Sequence, residues 1–189
     1  MKPRLFIFGS YITAMVMETG RLPGAGETLV GRGFRQTHGG KGGNMAVQAA
    51  RLGADVTFAG VIGRDPSGDA FLATLGDEGI APHGIRRSET APTGTGFIVV
   101  DSGGRNFIVI DSGANLEFTP ANDFKRLIPL LSGNGAALAQ CEIPLATALA
   151  EGRDEPATLR FACAAASLST TRIDTIPSYH TRAEVDLLL

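Results

Sequence analysis

The chain has 189 residues, of which 43% are hydrophobic and 19% charged, and its formal net charge is −2. This composition is ordinary for one globular domain, and the near-neutral charge gives no electrostatic reason to expect a nucleic-acid or membrane partner. No apolar run approaches the length of about 18–20 residues that a membrane span needs, and the apolar run after Arg4 is so short that it predicts a strand rather than a signal peptide. Cys141 and Cys163 are too few for a disulfide framework and lack metal-ligand spacing. We therefore expect reduced thiols and a cytoplasmic protein.

The first part of the chain predicts alternating buried strands and helices. Apolar runs of five to seven residues that end near glycine are typical of parallel strands, and caps with proline at the first helical position mark helix starts. The predicted elements are a strand at Arg4–Phe8, a helix at 45–52 stopped by Gly53, a strand at 56–62, and a helix from Asp65-Pro66 to Gly79. This order favours a parallel sheet covered by helices.

A predicted hairpin interrupts that order. Residues 97–100 and 106–110 are apolar and flank a loop, 101–105, that contains two glycines. Such a hairpin does not fit a series of strand–helix–strand units. We expect it to form an accessory sheet with two earlier extended segments, at about 11–18 and 28–36.

Beyond the hairpin the pattern becomes mostly helical. Thr119-Pro120 predicts a capped helix to Leu131, and residues 136–140 predict a third core strand. Helices are predicted at 145–149, 156–168 and 182–189. Three core strands followed almost only by helices make an unbalanced α/β domain.

The most informative stretch is residues 37–46, Thr-His-Gly-Gly-Lys-Gly-Gly-Asn-Met-Ala, directly before the first predicted helix. Two interpretations stay open from these residues alone. Asn44 caps a tight loop, or the glycines let a polar or anionic ligand approach a helix N-terminus where Lys41 adds a cation and Asn44 an amide. The spacing matches neither the dinucleotide-binding nor the Walker-type glycine motif.

Further segments accompany this stretch in a specific order: Pro23-Gly24-Ala25-Gly26-Glu27-Thr28, the segment 60–68, the hairpin, Gly113-Ala114-Asn115 and Glu142. Together with the glycine stretch, this succession resembles the ribokinase-like, PfkB-type carbohydrate kinases over residues 4 to about 144. A second block, about 145–189, resembles the C-terminal end of a ribokinase. The two blocks meet near residues 143–147.

The resemblance implies a truncated ribokinase-like α/β domain over residues 1–189, with a parallel-sheet core, helices on its faces and a small β lid. The lid strands are expected at about 11–37 and 96–111. The family activity is ATP-dependent phosphorylation of a sugar hydroxyl, so the implied cofactors are ATP and Mg²⁺. The implied partners are a small-molecule sugar and a second copy joined through the lid.

The resemblance also implies a sugar pocket, formed by Gly40, Lys41, Asn44 and Glu142. In it Asn44 binds a hydroxyl and Lys41 lies at the edge. Ile12 and Ala14 stand where the family has hydrogen-bonding Asn and Asp. Since a site built to bind hydroxyls discriminates through such partners, ribose specificity is in question.

Roughly the middle third of the family chain has no counterpart here. In the family it holds later core strands, an N-x-x-E motif associated with magnesium and the G-A-G-D motif with the catalytic Asp. Segments 24–27 (Gly-Ala-Gly-Glu) and 67–71 (Ser-Gly-Asp-Ala-Phe) mimic the last motif, but neither is predicted to stand at a glycine-lined helix start. Because phosphoryl transfer depends on positioning and charge stabilisation, we predict no catalytic residue and no metal ligand in this chain.

Two alternatives to a kinase remain: a non-catalytic module that binds sugar or dimerises through the hairpin, and an unstable product of an internal deletion. His38, His83 and His180 lack ligand spacing and are expected at the surface. By resemblance, Arg172 and Ser178 lie near the family's monovalent-cation loop. Cys163 is expected to be a small core residue.

Overall fold

The computed structural model describes residues 2–131, 136–140 and 142–143. The helices and strands in chain order are β1 (Arg4–Phe8), β2 (Ile12–Thr19), β3 (Arg32–Gly39), α1 (Lys41–Arg51), β4 (Asp55–Ile62), α2 (Pro66–Asp77), β5 (Ala81–Arg87), β6 (Thr95–Asp101), β7 (Asn106–Asp111), a 3₁₀ turn (Gly113–Glu117), α3 (Pro120–Leu131) and β8 (Ala136–Ala139). Within this described part, no helix has the length and apolarity that crossing a bilayer requires.

The core sheet has the strand order β5-β4-β1-β8, and all of its pairs are parallel. Leu5 of β1 lies opposite both Val56 of β4 and Ala136 of β8, so β1 is a central strand. The predicted parallel sheet is confirmed. Since β1 and β8 are parallel neighbours, the residues that follow each of them meet at the same edge of the sheet.

The main hydrophobic cluster lies between this sheet and helices α1 and α2. Most of its fully buried members come from β1, β4, α1 and α2, and they include Ile7, Val56, Phe58, Ala46, Phe71 and Leu75. Phe58 and Phe71 contact edge to face, with ring centroids 5.5 Å apart. Burial of an aromatic side chain of this kind contributes about 1.5–3 kcal/mol.

Helix α2 has the predicted start and stop. The Asp65 carboxylate accepts a hydrogen bond from the backbone N–H of Gly68 at 2.8 Å, and Pro66 opens the helix. Gly79 follows the helix with φ of +69°, a conformation that glycine adopts without strain.

The second sheet has the order β3-β2-β6-β7. Strands β6 and β7 form the predicted antiparallel hairpin, β2 pairs with β6 in parallel, and β2 pairs with β3 antiparallel. The two extended segments that precede helix α1 therefore form one sheet with the hairpin, as the sequence predicted. Strand β3 begins at Arg32, four residues after the predicted start.

The prediction of three core strands was wrong, because β5 is a fourth. Its sequence, Ala-Pro-His-Gly-Ile-Arg-Arg, has a proline and little apolar alternation, so it carries a weak strand signal. As an edge strand β5 tolerates the proline, and pairing with β4 imposes the extended conformation.

Helix α1 starts at Lys41, four residues before the predicted start, and its N-cap is Gly40 without a side-chain cap. The interpretation of Asn44 as a loop cap is therefore wrong. Two glycines in a first turn lower helix propensity, but packing overrides it here. A Cβ on Gly42 would lie 2.7 Å from the backbone nitrogen of Ser10, so only glycine allows this approach.

Several predictions fall on residues outside the described ranges: the helices at 145–149, 156–168 and 182–189, and the roles of Cys141, Cys163, Arg172, Ser178 and His180. Of residues 143–147, where the two family blocks were expected to meet, the structure describes only Ile143.

Candidate functional site

The candidate site lies where three segments meet at the carboxyl edge of the core sheet. Gly9-Ser10 follows β1, Gln140 and Glu142 follow β8, and the first turn of α1 packs against both. The crevice outside the carboxyl ends of parallel strands is where α/β proteins bind ligands.

Glycines bring these segments together. Gly40 has φ of +80°, and a Cβ there would lie 2.7 Å from the Cα of Tyr11. The N–H of Gly43 donates to the carbonyl of Ser10 at 3.0 Å. The glycines in this stretch are thus needed for close packing of chain against chain, and the start of α1 is held rigidly against the end of β1.

A polar cluster forms at this junction. The Ser10 hydroxyl donates to Glu142 Oε2 at 2.7 Å and lies 3.0 Å from Gln140 Oε1. The ammonium of Lys41 lies 2.5 Å from Glu142 Oε1, and the Lys41 backbone N–H points at Oε2 at 3.5 Å. The structure therefore brings together two of the predicted site residues, Lys41 and Glu142, although they are 101 positions apart.

Glu142 is half-buried and ionised. Partial burial acts to raise the pKa of its carboxyl, but hydrogen bonds from Lys41 and Ser10 outweigh burial and hold that pKa below its usual range. A carboxylate has about four acceptor positions, and the described residues fill three of them with Ser10 Oγ and the backbone and side-chain nitrogens of Lys41.

Asn44 stands in the first turn of α1 with its side chain exposed. Its backbone N–H donates to the carbonyl of Gly40 at 3.0 Å, as in a regular helix. Its side-chain amide makes no hydrogen bond among the described residues. An amide can both donate and accept, so Asn44 offers a complete polar contact to a ligand.

Ser10 and Gln140 are site residues that the sequence reasoning missed. Each lies just past the end of a core strand, and β1 and β8 are neighbours. Polar residues directly after two parallel strands are a usable signal, but it becomes specific only once the strand order is known.

Ile12 and Ala14 lie on β2, and both are buried, at 8% and 6% exposure. A Cβ on Gly39 would lie 3.6 Å from the Cβ of Ala14, so the two strands face each other with small apolar groups at this point. The second sheet contributes no polar group from these two positions.

The two segments that mimic G-A-G-D have other partners. The Glu27 carboxylate forms an ion pair with Arg21 and accepts a hydrogen bond from the N–H of Gly24 at 2.9 Å. These hydrogen bonds, chiefly those from Arg21, lower the pKa of Glu27 to about 2. Asp69 lies in the first turn of α2 and pairs with Arg87 at 2.5 Å. Among residues 2–131, 136–140 and 142–143, no three His, Cys, Asp or Glu side chains lie close enough to hold a metal ion.

The family model described as pfkB family carbohydrate kinase matches residues 2–134. Ribokinase from Mus musculus is 38% identical over 143 residues, which are 76% of this chain and 44% of that protein. The structure of ribokinase from Giardia lamblia superposes with a TM-score of 0.71 at 33% identity, over 78% of this chain and 48% of that one.

Ribokinase from Arabidopsis thaliana, solved as a complex with ribose and ATP, superposes with a TM-score of 0.66 at 29% identity over 90% of this chain and 52% of its own. The chain spans about half the length of these relatives. The family match covers more than half of the chain and agrees with the parallel core sheet and its second sheet. This chain therefore belongs to the pfkB family of carbohydrate kinases.

Proposed function

We propose that this chain binds a small sugar at the start of helix α1, as a member of a family of ATP-dependent sugar kinases, and that it does not complete phosphoryl transfer by itself. The observation that carries the sugar-binding part is Asn44, whose exposed amide is held in a helix turn with no side-chain hydrogen bond among the described residues. It stands three residues from Lys41, which binds Glu142. The Arabidopsis relative that binds ribose and ATP supports a sugar as the ligand.

The chemistry of the cluster suits hydroxyl groups. A sugar hydroxyl donates one hydrogen bond and accepts others. Asn44 can satisfy both functions, the Lys41 ammonium can donate, and Glu142 has one acceptor position that no described residue fills. The backbone of Gly40 lies at the same turn and allows close approach.

The proposal that this chain does not transfer a phosphoryl group is supported by the surroundings of the two carboxylates that could imitate a catalytic Asp. Glu27 is bound by Arg21 and lies in an exposed turn, and Asp69 is bound by Arg87. The described donor set does not fit a magnesium site, since it lacks a cluster of carboxylates. We therefore assign no step of a reaction to ATP or Mg²⁺ on this chain.

A coupled assay with ATP, magnesium and a panel of pentoses and hexoses tests the second part, and sugar titration followed by NMR tests the first. We expect no turnover, and binding that Asn44→Ala and Lys41→Ala weaken about tenfold. Turnover that these two variants abolish would show that the chain is a complete kinase. An absence of any sugar response would remove the binding proposal.

A second candidate function is dimerisation through the hairpin β6–β7. Phe107, Ile108, Val109 and Ile110 of β7 are 46% to 56% exposed, and Phe97 of β6 is 58% exposed. Adjacent exposed apolar side chains mark contact surfaces or aggregation sites. Light scattering distinguishes the cases: a dimer that Ile108→Lys dissociates supports dimerisation, and a monomer contradicts it.

The third alternative, an unstable product of an internal deletion, predicts a weak near-UV circular dichroism signal with strong binding of a hydrophobic dye. A sharp cooperative unfolding transition in urea would contradict it.

A further inference from the structure

His38 links the second sheet to helix α2 of the core. It is the next-to-last residue of β3 and stands three positions before the start of α1. Its Nδ1 lies 2.8 Å from the hydroxyl of Tyr11, and its Nε2 lies 2.9 Å from the hydroxyl of Thr74 in α2. The histidine was predicted at the surface; the ring is exposed, but both nitrogens have partners.

A chain of hydrogen bonds connects Thr74, His38, Tyr11 and Thr13. The Thr74 hydroxyl donates to the carbonyl of Ala70 at 3.0 Å, so it must accept from His38 Nε2–H. The His38 Nδ1 and the Tyr11 hydroxyl share the second hydrogen bond of the ring, and the Tyr11 hydroxyl also accepts from Thr13 at 3.3 Å. Burial raises the pKa of the Tyr11 phenol, so the hydroxyl keeps its proton.

Tyr11 is a rigid anchor for this bridge. It is 1% exposed, and its ring stacks on Phe71 of α2 with centroids 3.7 Å apart and planes at 11°. Its backbone N–H and carbonyl both bind the side chain of Asn115, at 2.9 Å and 2.8 Å. A side chain that binds both Tyr11 and Thr74 is therefore fixed to the core.

The chain between His38 and the sugar-binding turn consists of Gly39 and Gly40. Neither glycine has a side chain, and their backbone is held by pairing of Gly39 with Ile12 and by close packing of Gly40 against Tyr11. His38 is adjacent and has contacts on both sides.

We propose that His38 is a positioning residue, which binds Tyr11 and Thr74 at once and thereby fixes the end of β3 relative to α2 and the sugar-binding turn of α1. The sugar-affinity part of its test rests on the proposed function. The structural part does not.

Amide hydrogen exchange measures the structural part in the unliganded chain. We expect exchange at residues 11–13 and 37–43 to accelerate about fivefold in His38→Ala and to stay unchanged in His83→Ala, a matched exposed histidine on β5. Thr74→Val removes one of the two bonds and should give a smaller acceleration. In the double variant, Thr74→Val should add nothing to His38→Ala, since the shared bond is already lost.

Titration with D-ribose measures the second part. We expect His38→Ala to weaken affinity about fivefold, His83→Ala to leave it unchanged, and His38→Gln, which keeps one donor and one acceptor, to recover part of the loss. Unchanged exchange in both His38→Ala and Thr74→Val would overturn the proposal. If the wild-type chain binds neither D-ribose nor any other pentose or hexose of the panel while His38→Ala accelerates exchange, the bridge stands and the proposed sugar function fails.

Discussion

The two sheets of this protein differ in what stabilises them. In the core sheet, Phe58 and Ile7 are completely buried beneath helices. In the second sheet every residue of β7 is exposed, and β3 is exposed over seven of its eight residues. The core sheet is stabilised by burial of the side chains of β1 and β4, whereas the outer strands β3 and β7 of the second sheet depend mainly on pairing with β2 and β6. Ligand-closing elements are generally drawn from such less stable parts of a structure.

The largest difference between the two sheets should appear on truncation of an aromatic residue in each. We expect Phe58→Ala to lower the free energy of unfolding by about 3–5 kcal/mol, because it leaves a cavity in the core. Phe107→Ala removes a side chain that is 56% exposed and should cost less than about 1 kcal/mol. Urea unfolding of both variants measures the contrast, and equal losses would contradict it.

Removal of a contact at the ends of the second sheet should give the next largest loss of unfolding free energy. Asn115 is 1% exposed and binds Tyr11 before β2 and the carbonyl of Ser112 after β7. We expect Asn115→Ala to cost about 2–3 kcal/mol, since it leaves buried backbone groups without partners. Asn106→Ala, on the exposed edge strand β7, is the matched control and should change the unfolding free energy by less than about 0.5 kcal/mol.

Asp65 connects the same two regions and makes stability depend on pH. It caps α2 and accepts from the N–H and hydroxyl of Thr93, just before β6, both at 2.7 Å. Burial acts to raise its pKa, but the bonds from Thr93 and Gly68 prevail and lower that pKa. The stabilisation is therefore present above the unfolded pKa of about 3.9 and is lost as the pH falls through the lower folded value.

Asp65→Asn should accordingly cost about 1–2 kcal/mol at pH 7 and progressively less below about pH 4. Urea unfolding at a series of pH values checks this dependence. A difference between the two proteins that stays constant from pH 7 to pH 2 would show that the negative charge of Asp65 contributes nothing.

The smallest stability effect should come from the candidate site itself. The Lys41 side chain is 72% exposed, so its ion pair with Glu142 should contribute less than about 1 kcal/mol, like the exposed pair of Arg35 with Glu18. We expect Lys41→Ala and Arg35→Ala to unfold at nearly the same urea concentration. Only Lys41→Ala should weaken sugar binding, and a matching loss in Arg35→Ala would indicate an effect of the second sheet instead.

Much of the architecture was predictable because its signals are local. The apolar run at Arg4–Phe8 and the Asp65-Pro66 cap act within a few residues, and both led to correct elements. The order of motifs from Pro23 to Glu142 was enough to indicate the carbohydrate kinase family, since each motif is a short run of neighbouring residues.

Tertiary structure alone decided the rest, because the deciding contacts join distant residues. Helix α1 begins at Lys41 since Gly42 packs against Ser10, and β5 is a strand since β4 lies beside it. The partners of Lys41 and His38 are likewise set by pairing of β8 with β1 and by the position of α2. Local sequence determines which element a segment prefers, whereas close packing determines where that element starts and which polar groups meet.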